Sequence, residues 1–255
     1  LCPNIIKRRS GADTLTGGAT KDTITGGAGG DTLSGGAGVD VLNGGAGNDT
    51  FNYVTADLLA TETISGGAGT DILTLTDAST VIDADFTLAT SIETMTMSNN
   101  AHTVTLGALA NAAGIVTYNG GTDVDTLTVG AGFTNNLTVA GGAGADVIVL
   151  TNYTGTANLT GGAGVDTYTL GAGTEVISGA AAADVVNVAV AANMASTDVL
   201  VGGAGTDVIN FSAAMTVTDA MFTGVGTFET VTAGNVAMVM TLGAQAQEGG
   251  IATVT

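Results

Sequence analysis

Between Asp13 and Asp49 a carboxylate recurs at every ninth residue, as Asp13, Asp22, Asp31, Asp40 and Asp49. After Lys21 the chain contains no lysine or arginine. An evenly spaced row of anions with no basic neighbour is chemistry that asks for a bound cation. Four of these aspartates close the hexapeptides Gly17-Gly18-Ala19-Thr20-Lys21-Asp22, Gly26-Gly27-Ala28-Gly29-Gly30-Asp31, Gly35-Gly36-Ala37-Gly38-Val39-Asp40 and Gly44-Gly45-Ala46-Gly47-Asn48-Asp49. Three residues follow each aspartate, with one apolar side chain in the middle: Leu15, Ile24, Leu33, Leu42 and Phe51.

The elements that would position those carboxylates follow from the same unit. Glycines at the first, second and fourth places let six residues turn tightly and point carbonyls inward. The next three residues read as a short strand whose apolar side chain faces the interior. One unit buries almost nothing, whereas stacked units bury a continuous apolar ladder, so the fold is stable only as an array. Parallel strands lie ~4.8 Å apart. Aspartates on successive coils then repel by about 1 kcal/mol per pair in water and about four times that at an effective dielectric near 20. A divalent ion between coils removes the repulsion. Oxygen donors without His or Cys, on flexible loops, fit calcium rather than zinc or copper, and the row has room for several ions.

The hexapeptide and its strand resemble the RTX, or haemolysin-type calcium-binding, nonapeptide. That resemblance implies an all-β fold, a parallel β-roll or β-solenoid with calcium between Gly-rich turns. It implies ions between Asp13 and Asp31, Asp22 and Asp40, and Asp31 and Asp49, with carbonyls of Gly26, Ala28, Gly35, Ala37, Gly44 and Ala46 contributing. The first copy departs from the pattern, because Arg8-Arg9-Ser10-Gly11-Ala12-Asp13 lacks the paired glycines. Lys21 places a cation inside the second loop.

Beyond Phe51 the motif returns singly, closing on Asp71, Asp146, Asp166 and Asp207, with weaker versions closing on Asp125 and Asp184. These six aspartates extend the set of expected metal ligands. From Asp125 onward their steps are 21, 20, 18 and 23 residues, close to two nonapeptides. That spacing reads as a solenoid coil with a calcium-type turn on one edge and an ordinary polar turn on the other. β-branched runs predict strands at Ile72–Thr76, Glu93–Met97, Thr103–Leu106, Ile115–Tyr118, Thr126–Val129, Asn136–Val139, Val147–Leu150, Thr167–Leu170, Val185–Val188 and Val208–Phe211. The Ala-rich pieces Gly107–Ala113 and Ala189–Ala195 each read as a helical turn. Met95, Met97, Met238 and Met240 fall at strand alternation and read as core fillers.

A longer period overlies this one. Residues 66–119 align without a gap on residues 202–255 at an offset of 136, with about half the positions identical. The chain therefore divides into a lead-in (1–10, irregular), a nonapeptide β-roll (11–53), a first long module (54–199) and an incomplete second module (200–255, repeating 64–119). Ending inside a repeat, without a capping segment, reads as a piece of a longer array. The long unit resembles modules of bacterial surface-layer proteins and RTX adhesins. That resemblance implies type I secretion and calcium-dependent folding outside the cell.

A formal charge of -19 with four basic residues excludes nucleic acid and anionic membrane surfaces as partners. No apolar run reaches the ~18 residues of a membrane-spanning helix, so membrane insertion is not expected. The start shows no secretory signal, since Lys7, Arg8 and Arg9 follow its apolar residues. Cys2 is the single cysteine, which excludes an internal disulfide, and Pro3 is the single proline. Catalysis finds no support. His102 is the sole histidine and its counterpart in the second module is Met238. Glu93 and Glu229 recur at equivalent places with no base to tune them, and read as solvated or turn-bonding. Asp85 of the pair Asp83 and Asp85 becomes Met221.

The resulting reading is a non-enzymatic, calcium-binding structural segment of a secreted bacterial cell-surface protein. It folds in extracellular calcium and self-associates into a lattice or filament, with a cell-surface polysaccharide as a further partner. The alternatives are the stalk of an RTX adhesin, or the calcium-binding tail of a secreted hydrolase or epimerase.

Overall fold

A computed structural model describes residues 4–234 and 238–255. Cys2 and Pro3 lie outside the described residues. Strand pairing is parallel throughout, and it joins residues one coil apart rather than neighbours in sequence. In the first coils the register advances by 18 residues, as in Thr23 opposite Val41, because two nonapeptides make one turn. Further along it advances by 18 to 25, as the polar turns lengthen. The result is a β-solenoid whose longest sheet has eleven strands, one per coil.

That eleven-stranded sheet runs from Thr14–Gly18 to Val225–Gly226. Its inward positions form one unbroken stack: Leu15, Leu33, Phe51, Leu73, Met95, Tyr118, Val139, Leu159, Ile177, Leu200 and Val225. Every one of these side chains is buried. Full burial of each is worth roughly 1.5–3 kcal/mol, so the apolar stack holds the coils together. Threonines, asparagines and serines between them face outward.

The opposite face changes identity along the rod. A five-stranded sheet covers it from Ile5–Lys7 to Ala89–Thr90, and a nine-stranded sheet covers a new face from Thr80–Val81 to Thr253–Val254. Helix α1 (Ala108–Ala113) packs over Ala89–Thr90, where the five-stranded sheet ends. The second module repeats the manoeuvre one face further round. Strands 72–75 belong to the eleven-stranded sheet, whereas their counterparts 208–211 belong to the nine-stranded one. Likewise Thr80–Val81 opens the nine-stranded sheet, and its counterpart Thr216–Val217 opens a fourth, two-stranded sheet. Helix α2 (Ala244–Glu248) then packs over Val225–Gly226, the end of the eleven-stranded sheet. The 136-residue repeat is thus a joint that closes one sheet and founds another.

Asp83 fastens this joint. Its carboxylate accepts the backbone N–H groups of Gly107, Leu109 and Ala110 at 2.8, 3.2 and 2.9 Å, capping α1 from the preceding coil. Asp219 does the same for Gly243, Gln245 and Ala246 at the start of α2. The suspected pairing of Asp83 with Asp85 is not formed, since Asp85 instead accepts the Ile82 N–H.

Several sequence expectations are corrected. Within the lead-in, Ile5–Lys7 pairs with Thr23–Thr25 as a strand. The division between residues 199 and 200 falls inside strand Val199–Ala204. Strands 156–163, 174–181 and 199–204 were not anticipated, since their Gly and Ala ends dilute the β-branched signal. Residues 115–116 precede strand Thr117–Asn119 rather than join it. The Ala-rich pieces do turn, as α1 and as a 3-10 turn at Ala191–Asn193. Met95 and Met97 are buried, while Met238 and Met240 are half-buried.

Candidate metal centre

Stacking places the aspartates on one another in lines along the edges of the solenoid. Asp31 Oδ1 accepts the Asp13 backbone N–H at 2.8 Å, Asp49 Oδ1 accepts that of Asp31 at 2.8 Å, and Asp71 Oδ1 accepts that of Asp49 at 2.8 Å. Glu93 closes this line by accepting the Asp71 N–H at 2.8 Å. On the other edge Asp40 accepts from Asp22 at 2.7 Å, and Glu62 accepts from Asp40 at 3.0 Å. A third line begins at the His102 N–H and runs through Asp125, Asp146, Asp166, Asp184 and Asp207 to Glu229. Asp13 and Asp31, Asp22 and Asp40, and Asp31 and Asp49 are thus stacked one coil apart, and the single motifs join into lines of the same kind.

Only one oxygen of each carboxylate is used in this way. The Oδ2 atoms of Asp22, Asp31, Asp40, Asp49, Asp71, Asp146, Asp166, Asp184 and Asp207 are buried without a hydrogen-bond partner. These residues are at most 1 % exposed. Each Oδ2 folds back against the first glycine of its own hexapeptide, where a Cβ would collide with it. In most coils a carbonyl oxygen of the next coil crowds the same spot. At Gly44 the crowding atoms are Asp49 Oδ2 and Gly66 O, the latter 2.7 Å from the missing Cβ. At Gly26 they are Asp31 Oδ2 and Gly44 O, and at Gly141 they are Asp146 Oδ2 and Gly161 O. A buried carboxylate oxygen without a donor, with a backbone carbonyl of the next coil crowding the same glycine, leaves a negative spot that a hard cation fits.

Departures from the motif show in the geometry. Asp13 is half-buried and lies 4.0 Å from Arg8, in place of a turn with paired glycines. Asp125, in the weak copy at Gly120, satisfies its Oδ2 with the Gly121 N–H at 3.0 Å, so it lacks the free oxygen of its neighbours. Asp184 keeps a free oxygen, but the alanines in its degenerate turn adopt left-handed backbone, with φ of +77° at Ala180 and +79° at Ala182. The weak motif holds the shape by straining residues that other copies supply as glycine.

A family model for the RTX calcium-binding nonapeptide repeat (4 copies) matches residues 9–33, 16–51, 61–77, 158–177 and 194–213. The chain carries RTX repeats. No curated protein matches it. The RTX matches include Asp13, Asp22, Asp31, Asp40, Asp49, Asp71, Asp166 and Asp207, while Asp125, Asp146 and Asp184 share the lines without falling inside a match. Among the described residues no three His, Cys, Asp or Glu side chains gather as a cluster.

Electrostatics report the same unmet demand. Burial pushes the Asp146 carboxyl up to about 6 and Asp166 up to about 7, against the pull of the hydrogen bond from the preceding coil and with help from neighbouring charges. Asp40, Asp49, Asp71, Asp184 and Asp207 are raised by burial in the same way. Glu62, which sequence reasoning missed, is 1 % exposed, has an unpartnered Oε1 and is pushed by burial up to about 7. The signal for it was present: Glu62-Thr63-Ile64-Ser65-Gly66-Gly67 copies Asp22-Thr23-Ile24-Thr25-Gly26-Gly27 with the acid one carbon longer. Glu93 and Glu229 prove turn-bonding rather than solvated. His102 is buried in the aspartate position of its coil, its Nε2 3.2 Å from the Ser98 carbonyl.

Proposed function

We propose that this RTX-repeat β-solenoid is a structural segment whose folding is coupled to calcium in the extracellular medium. The observation that carries the proposal is the set of nine buried aspartate Oδ2 atoms without partners, in a chain with no basic residue after Lys21. In this reading Asp13, Asp22, Asp31, Asp40 and Asp49, then Asp71, Asp125, Asp146, Asp166, Asp184 and Asp207, hold the metal. Carbonyls of Gly26, Ala28, Gly35, Ala37, Gly44 and Ala46 complete the nonapeptide sites. The Ala28 and Ala46 carbonyls already accept from Gly11 and Gly29 at 2.7 Å, which leaves one lone pair each. Asp13 and Asp125 are the weakest members, for the reasons given above. Calcium, when bound, supplies the positive charge that the paired acceptor oxygens lack.

The residues explain the coupling. Without a cation, carboxylates about 4.8 Å apart repel and the Gly-rich turns gain more entropy by staying unfolded. With the repulsion removed, the apolar stack closes and the rod stiffens. RTX-repeat proteins are typically exported, and no helix among the described residues is long and apolar enough to cross a membrane. Secretion by a type I system to the bacterial surface fits a calcium affinity suited to millimolar levels. A rod that repeats the same outward face sums weak lateral contacts into a lattice or filament. Cell-surface polysaccharide is the anchoring partner in this picture, and no catalytic role is assigned.

Equilibrium dialysis against calcium, followed by sedimentation and electron microscopy of the loaded chain, tests the proposal. Uptake of several ions with ordered sheets or filaments supports it. Single rods of one chain length would favour the adhesin stalk, and no uptake would refute the whole reading.

A further inference from the structure

The edge line that carries Asp13, Asp31, Asp49, Asp71 and Glu93 does not end at Glu93. The register carries it on through Val116, Leu137 and Ala157, which are not acidic, to Glu175 and then Asp198. Neither acid closes a Gly-Gly hexapeptide. Yet Leu170-Gly171-Ala172-Gly173-Thr174-Glu175 keeps the outline of Gly66-Gly67-Ala68-Gly69-Thr70-Asp71, with leucine for the first glycine and glutamate for the aspartate.

Glu175 is 0 % exposed and Asp198 is 2 % exposed. Glu175 Oε1 accepts the Gly171 N–H at 3.2 Å, while its Oε2 is buried with no hydrogen-bond partner. Asp198 Oδ1 accepts the Glu175 N–H at 3.0 Å, and its Oδ2 accepts the Ala195 N–H at 2.7 Å. Beside Gly171 the carbonyls of Leu150 and Tyr153 crowd the place of the missing Cβ, the second at 2.7 Å, with Glu175 Oε1 at 3.2 Å. Asn193 lies against the same turn, its Nδ2 donating to Leu170 O at 3.0 Å. The Tyr153 hydroxyl is committed elsewhere, donating to Asn135 O and Thr156 O. Glu175 thus sets an unpartnered buried oxygen between Asp198 of the next coil and the Gly171 turn. There the Leu150 and Tyr153 carbonyls accept the Tyr153 N–H at 2.8 Å and the Ala172 N–H at 3.0 Å and keep one lone pair each, and no basic residue follows Lys21 in the chain. Burial, and then the charge of Asp198, pushes the Glu175 carboxyl up to about 7.

We infer that Glu175 and Asp198 hold an additional divalent cation of the calcium type, on the edge of the later coils that carries no paired-glycine motif. Glu175 Oε2 is the free donor, Asp198 supplies the second negative charge, and the Leu150 and Tyr153 carbonyls add neutral oxygens. The longer glutamate arm makes up for the loop that leucine, in place of glycine, holds further from the line. The site would pin strands 156–163, 174–181 and 199–204 on the side opposite the Asp166 line.

The full chain tests this through metal content at neutral pH in calcium, measured for the unaltered protein and for the double variant E175Q/D198N. The double variant is expected to hold one ion fewer per chain, while the aspartate lines keep theirs. A second measurement does not depend on how the variant folds. Terbium soaked into crystals of the unaltered chain should give an anomalous peak between Glu175 and Asp198. Equal metal content in both proteins overturns the inference. So does a map with terbium on the aspartate lines and the two carboxyls in contact around a shared proton. Terbium absent from the aspartate lines would instead be a failure of the proposed function.

Discussion

Replacing Asp166 by asparagine should change stability in opposite directions with and without calcium. Asp166 is 0 % exposed, with Asp146 and Asp184 as its neighbours in the line. Asparagine keeps the Oδ1 that accepts the Asp146 N–H and puts a neutral NH2 donor in place of the unpartnered Oδ2. In chelator, burial pushes the native carboxyl up to about 7 from an ordinary 3.8. At 1.36 kcal/mol per unit, holding that charge near neutral pH costs the fold about 2–4 kcal/mol once solvent relaxation is allowed for. Asp166→Asn should therefore stabilise the calcium-free chain by that order. In calcium the same change removes an anionic ligand from the spaces on both sides of its coil. One ion at a hundred times its dissociation constant stabilises by about 2.7 kcal/mol, so the variant should lose on the order of 2–5 kcal/mol. Urea melts followed by far-ultraviolet circular dichroism give both numbers. Urea avoids the screening that guanidinium salt would impose, and an osmolyte brings the chelated chain into its folding range. A shift of the same sign in both conditions would refute the electrostatic reasoning.

Other consequences follow from particular contacts. Glu62, Asp146, Asp166 and Glu175 have raised values of about 6 to 7, so the folded chain binds more protons than the unfolded chain between about pH 4 and 7. In chelator with the same osmolyte, stability should fall as pH rises through that window, whereas in calcium acidification should weaken the fold by protonating ligands, as paired melts at pH 5 and 7.5 would show. Gly44→Ala drives a methyl against Asp49 Oδ2 and Gly66 O, and should cost about 1–3 kcal/mol or more and raise the calcium midpoint, while Gly226→Ala, with nothing within 4 Å, should be near neutral by the same melts. Ala182→Gly relieves a φ of +79° and should raise stability by up to about 1 kcal/mol. Asp83→Ala uncaps α1 and should cost about 0.5–2 kcal/mol at any calcium level, since no line passes through it.

The nonapeptides made the first coils legible down to the register. Asp13 to Asp49 announce the lines by spacing alone, and Ile24, Leu33, Leu42 and Phe51 announce the core. Single motifs were legible as metal-type turns, but not their grouping, because coil length varies between 18 and 25 residues and only pairing fixes which acids stack. Glu62, Glu175 and Asp198 escaped because the eye follows paired glycines before an acid. Here the readable sign is an acid directly before a short strand that ends in glycine, as in Asp198-Val199-Leu200-Val201-Gly202-Gly203. The exchange of sheets within the long module could not be read at all. Residues 72–75 and 208–211 follow identical Gly-Gly-Ala-Gly-Thr-Asp turns yet lie on different sheets, and only the accumulated path of the chain decides which face each meets. Asp83 and Asp219 were likewise opaque, since each caps a helix that begins 25 residues later in the chain.

The central claim is that the acidic lines cannot close without a divalent cation. The most direct measurement is circular dichroism of the whole chain as calcium is added, then withdrawn with chelator, beside the variant carrying Asp31→Ala and Asp40→Ala. The β-signal should rise cooperatively with calcium and vanish with chelator, and the variant should need more calcium for a smaller signal. A chain that keeps the same β-signal and the same melting temperature after exhaustive chelation would contradict the account.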